Sequence, residues 1–359
     1  MRVSAALSLL LLALLIGPEP ARAGSDLVIG VHDDRIKWTE RPAPILGAMK
    51  ALGLGGMRVT LEWRRGKRHL TMPDHNALRR AVAAHAGDVR IVLGVYGRAT
   101  DAPRGPAARE DYCRFVRNVL LRYGEVRDVV IWNEANSDTF WQPREGAAED
   151  YAALLARCWD VLHRSVSGVN VLTTTAASHD PAAFIRGVGA AYRASGRHRP
   201  LFDAAGHNPY PLFSGEPPSA RHEVYVGQGD YDRLVAVLDE SFAGTAQPPT
   251  PIWYLENGFQ TTTAGKRRRA HYSGRESVAQ TLEPAAQAAQ VAAALRLASC
   301  QPRVAAYFNF LLVDESVLGG WQSGLLWADW RRKPAFEAYR AAIAEVRSGT
   351  VDCAAALRG

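Results

Sequence analysis

The sequence predicts a single (β/α)8 barrel, and three observations carry that prediction. Strand-like segments alternate with helix-like segments from Leu27 to the C-terminal region, eight of each. The strand cores are continuous runs of Val, Ile and Leu, which is typical of parallel strands covered on both faces. The longest stretches without regular structure follow the last three strands, and the active sites of such barrels lie at that end.

The predicted strands are short apolar segments bounded by polar residues or glycine. They are Leu27–His32, Met57–Glu62, Arg90–Tyr96, Asp128–Glu134, Asn170–Thr175, Leu201–His207, Ile252–Glu256 and Val304–Phe310. A doubly wound open sheet is the competing α/β architecture, and it would need a Gly-rich phosphate loop after the first strand. The segment His32-Asp33-Asp34-Arg35 has no glycine at that place, so the barrel is favoured.

The predicted helices are stretches between the strands that begin at Pro or Asp in several cases and stop before Gly. They are Pro44–Leu52, Asp74–Ala86, Ala107–Tyr123, Ala147–Val166, Pro181–Ala194, Tyr231–Ala243, Pro284–Ser299 and Pro334–Val346. Asp74 is the expected cap of the second helix. Long loops are expected over Asn208–Asp230, Asn257–Glu283 and Leu311–Lys333, all at the carboxyl ends of strands.

The first 23 residues carry the pattern of a secretory signal peptide. A short basic start with Arg2 precedes the apolar run Ala5–Ile16, and Ala21-Arg22-Ala23 matches an A-x-A cleavage site. The apolar run is too short for a membrane anchor, which needs about 20 residues. We therefore expect a signal peptide over 1–23, a catalytic domain over 24–350 and a tail over 351–359, with the mature protein extracellular or periplasmic.

Four cysteines remain after that cleavage, an even number in a chain expected to enter an oxidising space. Cys113 and Cys158 lie on successive predicted helices, whereas Cys300 ends a helix and Cys353 lies in the tail. The spacing matches no zinc signature. We expect the pairs Cys113–Cys158 and Cys300–Cys353, and free buried cysteines are the alternative.

The chain carries a formal net charge of +7, to which the run Lys266–Arg269 contributes. Such a run indicates either a patch for an anionic polymer or a solvated loop. No aromatic residues alternate with the basic ones, as stacking on nucleic-acid bases would require. The solvated loop is therefore favoured, and nucleic acid is not an expected partner.

Two glutamates end predicted strands in similar settings. Glu134 follows the fourth strand in Ile131-Trp132-Asn133-Glu134, and Glu256 ends the seventh in Tyr254-Leu255-Glu256. A single glutamate at a strand end is most simply a capping or ion-paired residue. Two of them at one barrel mouth form the carboxylate pair that glycoside hydrolysis requires.

The segments "IWNEAN" and "PIWYLENGFQT" resemble the acid/base and nucleophile motifs of clan A glycoside hydrolases, the cellulase and β-xylosidase type of barrel. The resemblance extends over about residues 27–346 and includes "GMRVTLEW", "GHNPYP" and "SGLLWADWRRKPAFEAYR". Ala135 stands where many members of the clan have Pro. This resemblance implies a retaining mechanism with a general acid/base on the fourth strand and a nucleophile on the seventh.

Carried over by position, the resemblance assigns the acid/base role to Glu134 and the nucleophile role to Glu256. It further implies that Asn133 binds the sugar 2-hydroxyl and that Arg58 keeps the nucleophile ionised. His207 and Tyr210 are expected near that nucleophile.

Further substrate contacts are expected from residues at the same rim. His32 ends the first strand and is expected to bind a sugar hydroxyl, whereas Asp34 is expected to cap a helix. Trp327 is the expected aromatic platform. Trp321 and Trp330 lie in the same loop, and packing beneath that loop is the open alternative for all three. Trp63, Trp141 and Tyr96 are further candidates for the rim. Trp132 and Trp253 are expected in the core.

The sequence thus predicts a secreted, monomeric, retaining hydrolase of a poly- or oligosaccharide, without a cofactor, a metal ion or a membrane anchor. Two alternatives stay open. A transglycosylase would use the same site but shield its intermediate from water, and a carbohydrate-binding barrel would lack turnover. The paired carboxylates argue against the second alternative, because a binding protein needs aromatic platforms and no nucleophile.

Overall fold

The computed structural model describes residue 24 and residues 26–83, 89–263, 270–276 and 281–358. The expected signal peptide and the basic run at 266–269 lie outside the described residues. Eight parallel strands form one sheet in the order β5-β4-β3-β2-β1-β8-β7-β6. They are β1 Val28–His32, β2 Gly56–Glu62, β3 Arg90–Tyr96, β4 Asp128–Ile131, β5 Asn170–Leu172, β6 Ala205–His207, β7 Ile252–Asn257 and β8 Val304–Phe310.

The two ends of this sheet, β5 and β6, meet through isolated parallel bridges rather than a regular ladder. Leu172 pairs with Ala204, and Ala176 pairs with Asn208. The backbone amide of Asn208 donates to the carbonyl oxygen of Thr175 at 2.8 Å. These contacts bring the sheet to a nearly closed ring, so the predicted (β/α)8 barrel is confirmed.

Helices between the strands cover the outside of the barrel. They are α1 Ala43–Leu52, α2 Met72–Val82, α3 Pro106–Arg122, α4 Ala147–His163, α5 Pro181–Ala194, α6 Tyr231–Phe242, α7 Pro284–Ser299 and α8 Pro334–Ser348, followed by the short α9 Cys353–Arg358. Asp74 does not cap α2 as expected. Thr71 is the N-cap, and Asp74 completes a capping box with it from the third helical position.

The apolar side chains form two layers, one inside the barrel and one between the barrel and the helices. The interior layer consists of Val92, Val130, Leu172, Ala204, Trp253, Leu255, Ala306 and Phe308. Trp132 and Trp253 are buried, as predicted. This packed interior fills the barrel beneath its mouth.

Both predicted disulfides are present in the structure. Cys113–Cys158 joins α3 to α4, and Cys300–Cys353 ties the start of α9 to the end of α7. Among the described helices, none combines the length and the apolar character that crossing a bilayer requires.

Candidate active site

A cleft of about 590 Å³ opens at the carboxyl ends of the strands. Long loops after β6, β7 and β8 contribute to its walls, as the sequence predicted. Side chains that matter for its chemistry are His32, Asn133, Glu134, Tyr210, Glu256, Phe310 and Trp321. The two glutamates expected from the sequence therefore lie in one cleft.

Glu134 is presented by a backbone that leaves the strand sooner than predicted. The regular part of β4 ends at Ile131, because Trp132 and Glu134 both adopt left-handed backbone angles, with φ of 63° and 38°. Such angles cost about 1–3 kcal/mol for residues other than glycine, and they persist only where surrounding contacts enforce them. The backbone amide of Trp132 supplies such contacts by donating to Val95 O at 3.1 Å and to the Tyr112 hydroxyl at 3.0 Å.

Asn136, the second asparagine of the segment Asn133-Glu134-Ala135-Asn136, has a structural role. Its Nδ2 donates to Ala176 O at 3.1 Å and to Ser178 O at 2.8 Å, and its Oδ1 accepts from Ala176 N at 2.8 Å. The side chain thus fastens the turn after β4 to the segment after β5. This fixation holds the backbone of Glu134 from its carboxyl side.

The Glu134 carboxyl group lies in an environment that favours its protonated form. Burial, followed by repulsion from the Glu256 carboxylate, raises the pKa of Glu134 to about 7. Asn208 opposes this shift, because its Nδ2 donates to Glu134 Oε1 at 2.7 Å. At neutral pH the group is therefore poised between proton donor and proton acceptor.

Arg58 lies at the floor of the cleft with no exposed side-chain surface. Its Nη1 donates to Glu256 Oε1, and its Nη2 donates to Asn133 Oδ1 at 2.9 Å. Gly94 on the neighbouring strand makes room for it, since a Cβ there would lie 3.3 Å from Nη2. Arg58, which was expected beside Glu256, is thus in ion-pair contact with it.

Glu256 lies in the opposite environment from Glu134. Burial by itself would raise the pKa of Glu256, but the charge of Arg58, assisted by His32, outweighs that effect and lowers it to about 2. His32 Nδ1 lies 3.3 Å from Glu256 Oε1 and 2.9 Å from Arg58 Nη1. The Tyr210 hydroxyl donates to Glu256 Oε2 at 3.0 Å. Both oxygens of this carboxylate are therefore bonded, and it stays charged at neutral pH.

Three aromatic rings form a wall beside Glu256. The ring of Tyr210 lies 5.1 Å from that of Trp321 and 5.9 Å from that of Phe310, and Phe310 meets Trp321 edge-on at 5.3 Å. Trp321 is half-buried and lines the cleft. Of the two residues Trp321 and Trp327, it is therefore Trp321 that lines the cleft.

Trp327 is not brought to the cleft. It lies 5% exposed beneath the loop after β8, in contact with Tyr272 and Leu318 and with Lys333 Nζ 4.7 Å from its ring centroid. Trp327 therefore packs under the loop. This was the alternative that the sequence left open for these tryptophans.

His207 is also set back from the cleft and is fully buried. Its Nδ1 lies 2.8 Å from the Thr175 hydroxyl, and its Nε2 lies 2.8 Å from Val226 O. Burial lowers the pKa of His207 to about 4, so the ring is neutral at neutral pH. It connects the β6 loop to the barrel, whereas Tyr210 and Asn208 of the same segment reach the two glutamates.

Trp63 and Trp141 are buried and do not form the rim that the sequence suggested. They pack edge-on against Trp132, with ring centroids 6.2 and 5.9 Å away. This aromatic cluster supports the strained end of β4 from below. Tyr96, the third expected rim residue, does line the cleft.

The acidic residues after His32 serve the architecture of the rim. Asp33 caps the turn at Asp34–Lys37 and also accepts from the amides of Leu312 and Val313, both at 3.1 Å. Asp34 lines the cleft, but its oxygens accept from Thr60 and pair with Lys37. Over the ranges that the structure describes, no group of three or more His, Cys, Asp or Glu side chains could hold a metal ion.

No family model and no curated protein matches this sequence. Solved structures do match. A family 39 glycoside hydrolase from Bacteroides cellulosilyticus WH2 superposes with a TM-score of 0.69 at 17% identity, over 90% of this chain and 65% of that one. The chain thus spans under two thirds of that hydrolase.

Two further neighbours have the same architecture. A glucosidase from Croceicoccus marinus gives a TM-score of 0.64 at 13% identity, over 89% of this chain and 68% of that one. A GH5_18 protein from Streptomyces cattleya, solved in complex with GlcNAc, gives 0.58 at 16% identity, over 90% of this chain and 80% of that one. At these identities the likeness concerns the fold, and the chain has the barrel fold of the clan A glycoside hydrolases.

Proposed function

We propose that this protein is a retaining glycoside hydrolase with Glu134 as the general acid/base and Glu256 as the nucleophile. One observation carries the proposal: two carboxyl groups of the same cleft lie in opposite environments, Glu256 in ion-pair contact with Arg58 and Glu134 buried and repelled by the Glu256 carboxylate, which displaces their pKa values in opposite directions. A pair of carboxyl groups with divergent proton affinities is the arrangement that double displacement at a glycosidic bond requires.

In the first step, the ionised Glu256 attacks the anomeric carbon while Glu134 gives its proton to the leaving oxygen. A glycosyl ester forms on Glu256 as the glycosidic bond breaks. Esterification removes the negative charge that helps to raise the pKa of Glu134. Glu134 is therefore left as a carboxylate and accepts a proton from a water molecule as that water attacks the anomeric carbon. The bond from this carbon to Glu256 breaks, which releases the sugar and restores the Glu256 carboxylate and the protonated Glu134.

Neighbouring side chains support these roles. Arg58 and Tyr210 hold the two oxygens of Glu256, which fixes the direction of attack. Because Arg58 occupies Asn133 Oδ1, the amide nitrogen of Asn133 is the atom that donates to a sugar hydroxyl. Trp321 offers a flat aromatic face to the sugar, since it lines the cleft beside Tyr210.

The test is a panel of aryl glycosides followed by two substitutions. Glu256→Ala should abolish hydrolysis, and azide should restore turnover with inverted product. Glu134→Ala should lower kcat/KM by about 10²–10⁴-fold on substrates with poor leaving groups but much less on activated ones. Glu62→Ala is the matched control, because Glu62 also ends a barrel strand but does not line the cleft. Wild-type behaviour of both active-site variants would show that other carboxylates react.

The same panel separates the alternatives. A transglycosylase would form longer glycosides when an acceptor sugar is added, with little free reducing sugar. A binding barrel would retain affinity without any turnover.

We also propose that the protein is secreted after cleavage behind Ala23. The signal-peptide pattern and the two disulfides support this route, because disulfides persist in oxidising compartments. N-terminal sequencing of protein purified from the culture medium and from the periplasm tests it. A mature chain that begins with Met1 would contradict the proposal.

A further inference from the structure

One wall of the cleft consists of consecutive apolar side chains. Pro211, Leu212 and Phe213 follow Tyr210 on the β6 loop, and all three line the cleft. Leu212 is 54% exposed and Phe213 is 52% exposed. Isolated exposed apolar residues are common in proteins, but an adjacent pair inside a ligand cleft indicates a binding surface.

Several polar groups of this segment are already bonded within the protein. Leu212 N donates to Glu216 Oε2 at 2.8 Å, and the other Glu216 oxygen lies 2.8 Å from His222 Nε2. The Tyr225 hydroxyl lies at hydrogen-bond distance from two backbone carbonyls, Tyr210 O at 3.0 Å and Pro211 O at 3.1 Å. The segment is thus held in place, and what it presents to a ligand is apolar side chain.

This wall lies on the side of the cleft where the leaving group departs. Asn208, at the start of the same loop, donates to the Glu134 carboxyl group, which protonates the leaving oxygen in the proposed mechanism. Phe310 and Trp321, from β8 and its loop, pack against the ring of Tyr210, and Phe310 also meets His32. A sugar held there at the anomeric carbon directs its aglycone toward Glu134 and the β6 loop.

We propose that Pro211, Leu212 and Phe213 form an apolar aglycone site, so that the substrate class is an alkyl or aryl glycoside rather than an oligosaccharide. The inference rests on the proposed hydrolase function and narrows its substrate. A second sugar would need hydrogen-bond partners for its hydroxyl groups, because leaving them unpaired on a protein wall is unfavourable. Leucine and proline also lack the flat aromatic face on which sugar rings stack.

The test uses straight-chain alkyl glycosides, from methyl to butyl, of the sugar that the aryl panel identifies. Their leaving oxygens have similar acidity, so differences in kcat/KM report binding of the chain. We expect kcat/KM to rise about fourfold for each methylene group, as burial of a CH₂ predicts. The double variant Leu212→Ser/Phe213→Ser should lose this dependence, with methyl and butyl glycosides cleaved equally well to within about twofold.

Leu121→Ser is the matched control, because Leu121 is 50% exposed on α3 and does not line the cleft. This variant should keep the full dependence on chain length. A flat series in the wild type, or disaccharides cleaved with a higher kcat/KM than the butyl glycoside, would overturn the aglycone site while leaving the hydrolase function intact. Failure of every glycoside in the panel would instead refute the hydrolase function, and the aglycone site with it.

Discussion

Arg58 links Glu256 on β7 to Asn133, the residue directly before Glu134. Its Nη1 donates to Glu256 Oε1, and its Nη2 donates to Asn133 Oδ1. One buried guanidinium therefore fixes the charge of one carboxylate and the position of the backbone that presents the other. Because a positive charge in this place stabilises the ionised form of Glu256, only Glu134 retains a proton near neutral pH.

The pH dependence of kcat/KM follows from this division. Glu256 must be ionised and Glu134 must be protonated, so activity should rise through the low pKa of Glu256 and fall as pH increases through about 7. A stopped assay between pH 3 and pH 10 on an unactivated glycoside measures the basic limb. It should show no loss of activity down to pH 3, because the low pKa of Glu256 lies below that range. An activated aryl glycoside provides the internal comparison, since its leaving group needs less protonation. A basic limb that is absent with both substrates would contradict the acid role of Glu134.

Arg58→Met should move the acidic limb of that profile upward by two pH units or more. Without the guanidinium, burial dominates and raises the pKa of Glu256. The variant should also lose about 3–5 kcal/mol of unfolding free energy near neutral pH, because a buried charge is left unpaired. Both quantities come from the pH–rate profile and from urea unfolding.

Arg90→Met is the control for this substitution. Arg90 also pairs with a carboxylate, Asp128, but at the opposite end of the barrel strands. Its loss should leave the acidic limb in place. An unmoved limb in Arg58→Met would mean that Arg58 does not set the charge of Glu256.

Asn208→Ala should shift the basic limb toward higher pH. The amide of Asn208 donates to Glu134 Oε1 at 2.7 Å, and a bond of this kind stabilises the charged carboxylate. Its removal raises the pKa of Glu134 by about one unit, given that a hydrogen bond to a charged group contributes about 1.5 kcal/mol. The pH–rate profile records the shift. A downward shift would show that the amide bonds the protonated acid instead.

Glu134 should also make the protein less stable as pH rises. Its folded-state pKa, about 7, lies above the ordinary value of 4.5, so the fold prefers the neutral group. That preference contributes fully below pH 4.5 and is lost as pH increases toward and through 7. Glu134→Gln stays neutral and should exceed the wild type by about 2 kcal/mol at pH 8, less than the full linkage value because the side chain is partly open to the cleft.

Thermal unfolding at pH 4 and pH 8 measures this difference. The two proteins should be nearly equal at the lower pH and should separate at the higher one. Glu62→Gln, at the end of a different barrel strand, should show no such divergence. A wild type that is as stable as Glu134→Gln at pH 8 would mean that the pKa of Glu134 is not raised.

The barrel and its carboxylate pair were predictable because both depend on local sequence and on topology. Apolar runs define the strands, and parallel strands in a barrel place all their carboxyl ends at one mouth. Glu134 and Glu256 therefore had to share a rim once their strands were identified. The contact of Arg58 with Glu256 depends on strand register as well, since Arg58 is the third residue of β2 and pairs with His32, the last residue of β1.

The loops were not predictable in the same way, because tertiary contacts decide which side chain faces the cleft. Trp321 and Trp327 lie six positions apart in one loop, yet only Trp321 lines the cleft. The turn after β4 also departs from its strand pattern, because the left-handed backbone at Trp132 depends on the hydroxyl of Tyr112, on another element. Asn208 was not predicted as a site residue. It directly follows the predicted His207, and its amide side chain was the only signal in the sequence that it could bind a carboxyl group.

The fully buried pair Lys333–Asp314 should determine how well Trp321 is positioned. Lys333 Nζ donates to Asp314 Oδ1 at 2.7 Å, to Thr261 Oγ1 at 2.8 Å and to Gln322 O at 2.9 Å. The last of these atoms belongs to the residue that follows Trp321. The ammonium group of Lys333 is therefore one of the donors, with the amide and the hydroxyl of Thr261, that hold Gln322 O beside the wall of the cleft.

Lys333→Met should destabilise the protein by about 3–5 kcal/mol, because Asp314 becomes an unpaired buried charge. The double variant Asp314→Leu/Lys333→Met removes both charges and should recover most of that loss.

This double variant does not restore the ammonium donor to Gln322 O. KM should therefore stay raised by about fivefold, which corresponds to one hydrogen bond, while kcat on an activated glycoside changes little. Acrylamide quenching, compared with and without Trp321→Phe, reports the ring directly and needs no substrate. Arg332→Met is the control, since Arg332 pairs with Glu337 on the exposed surface beside Lys333. Recovery of both stability and KM in the double variant would show that the pair serves folding alone.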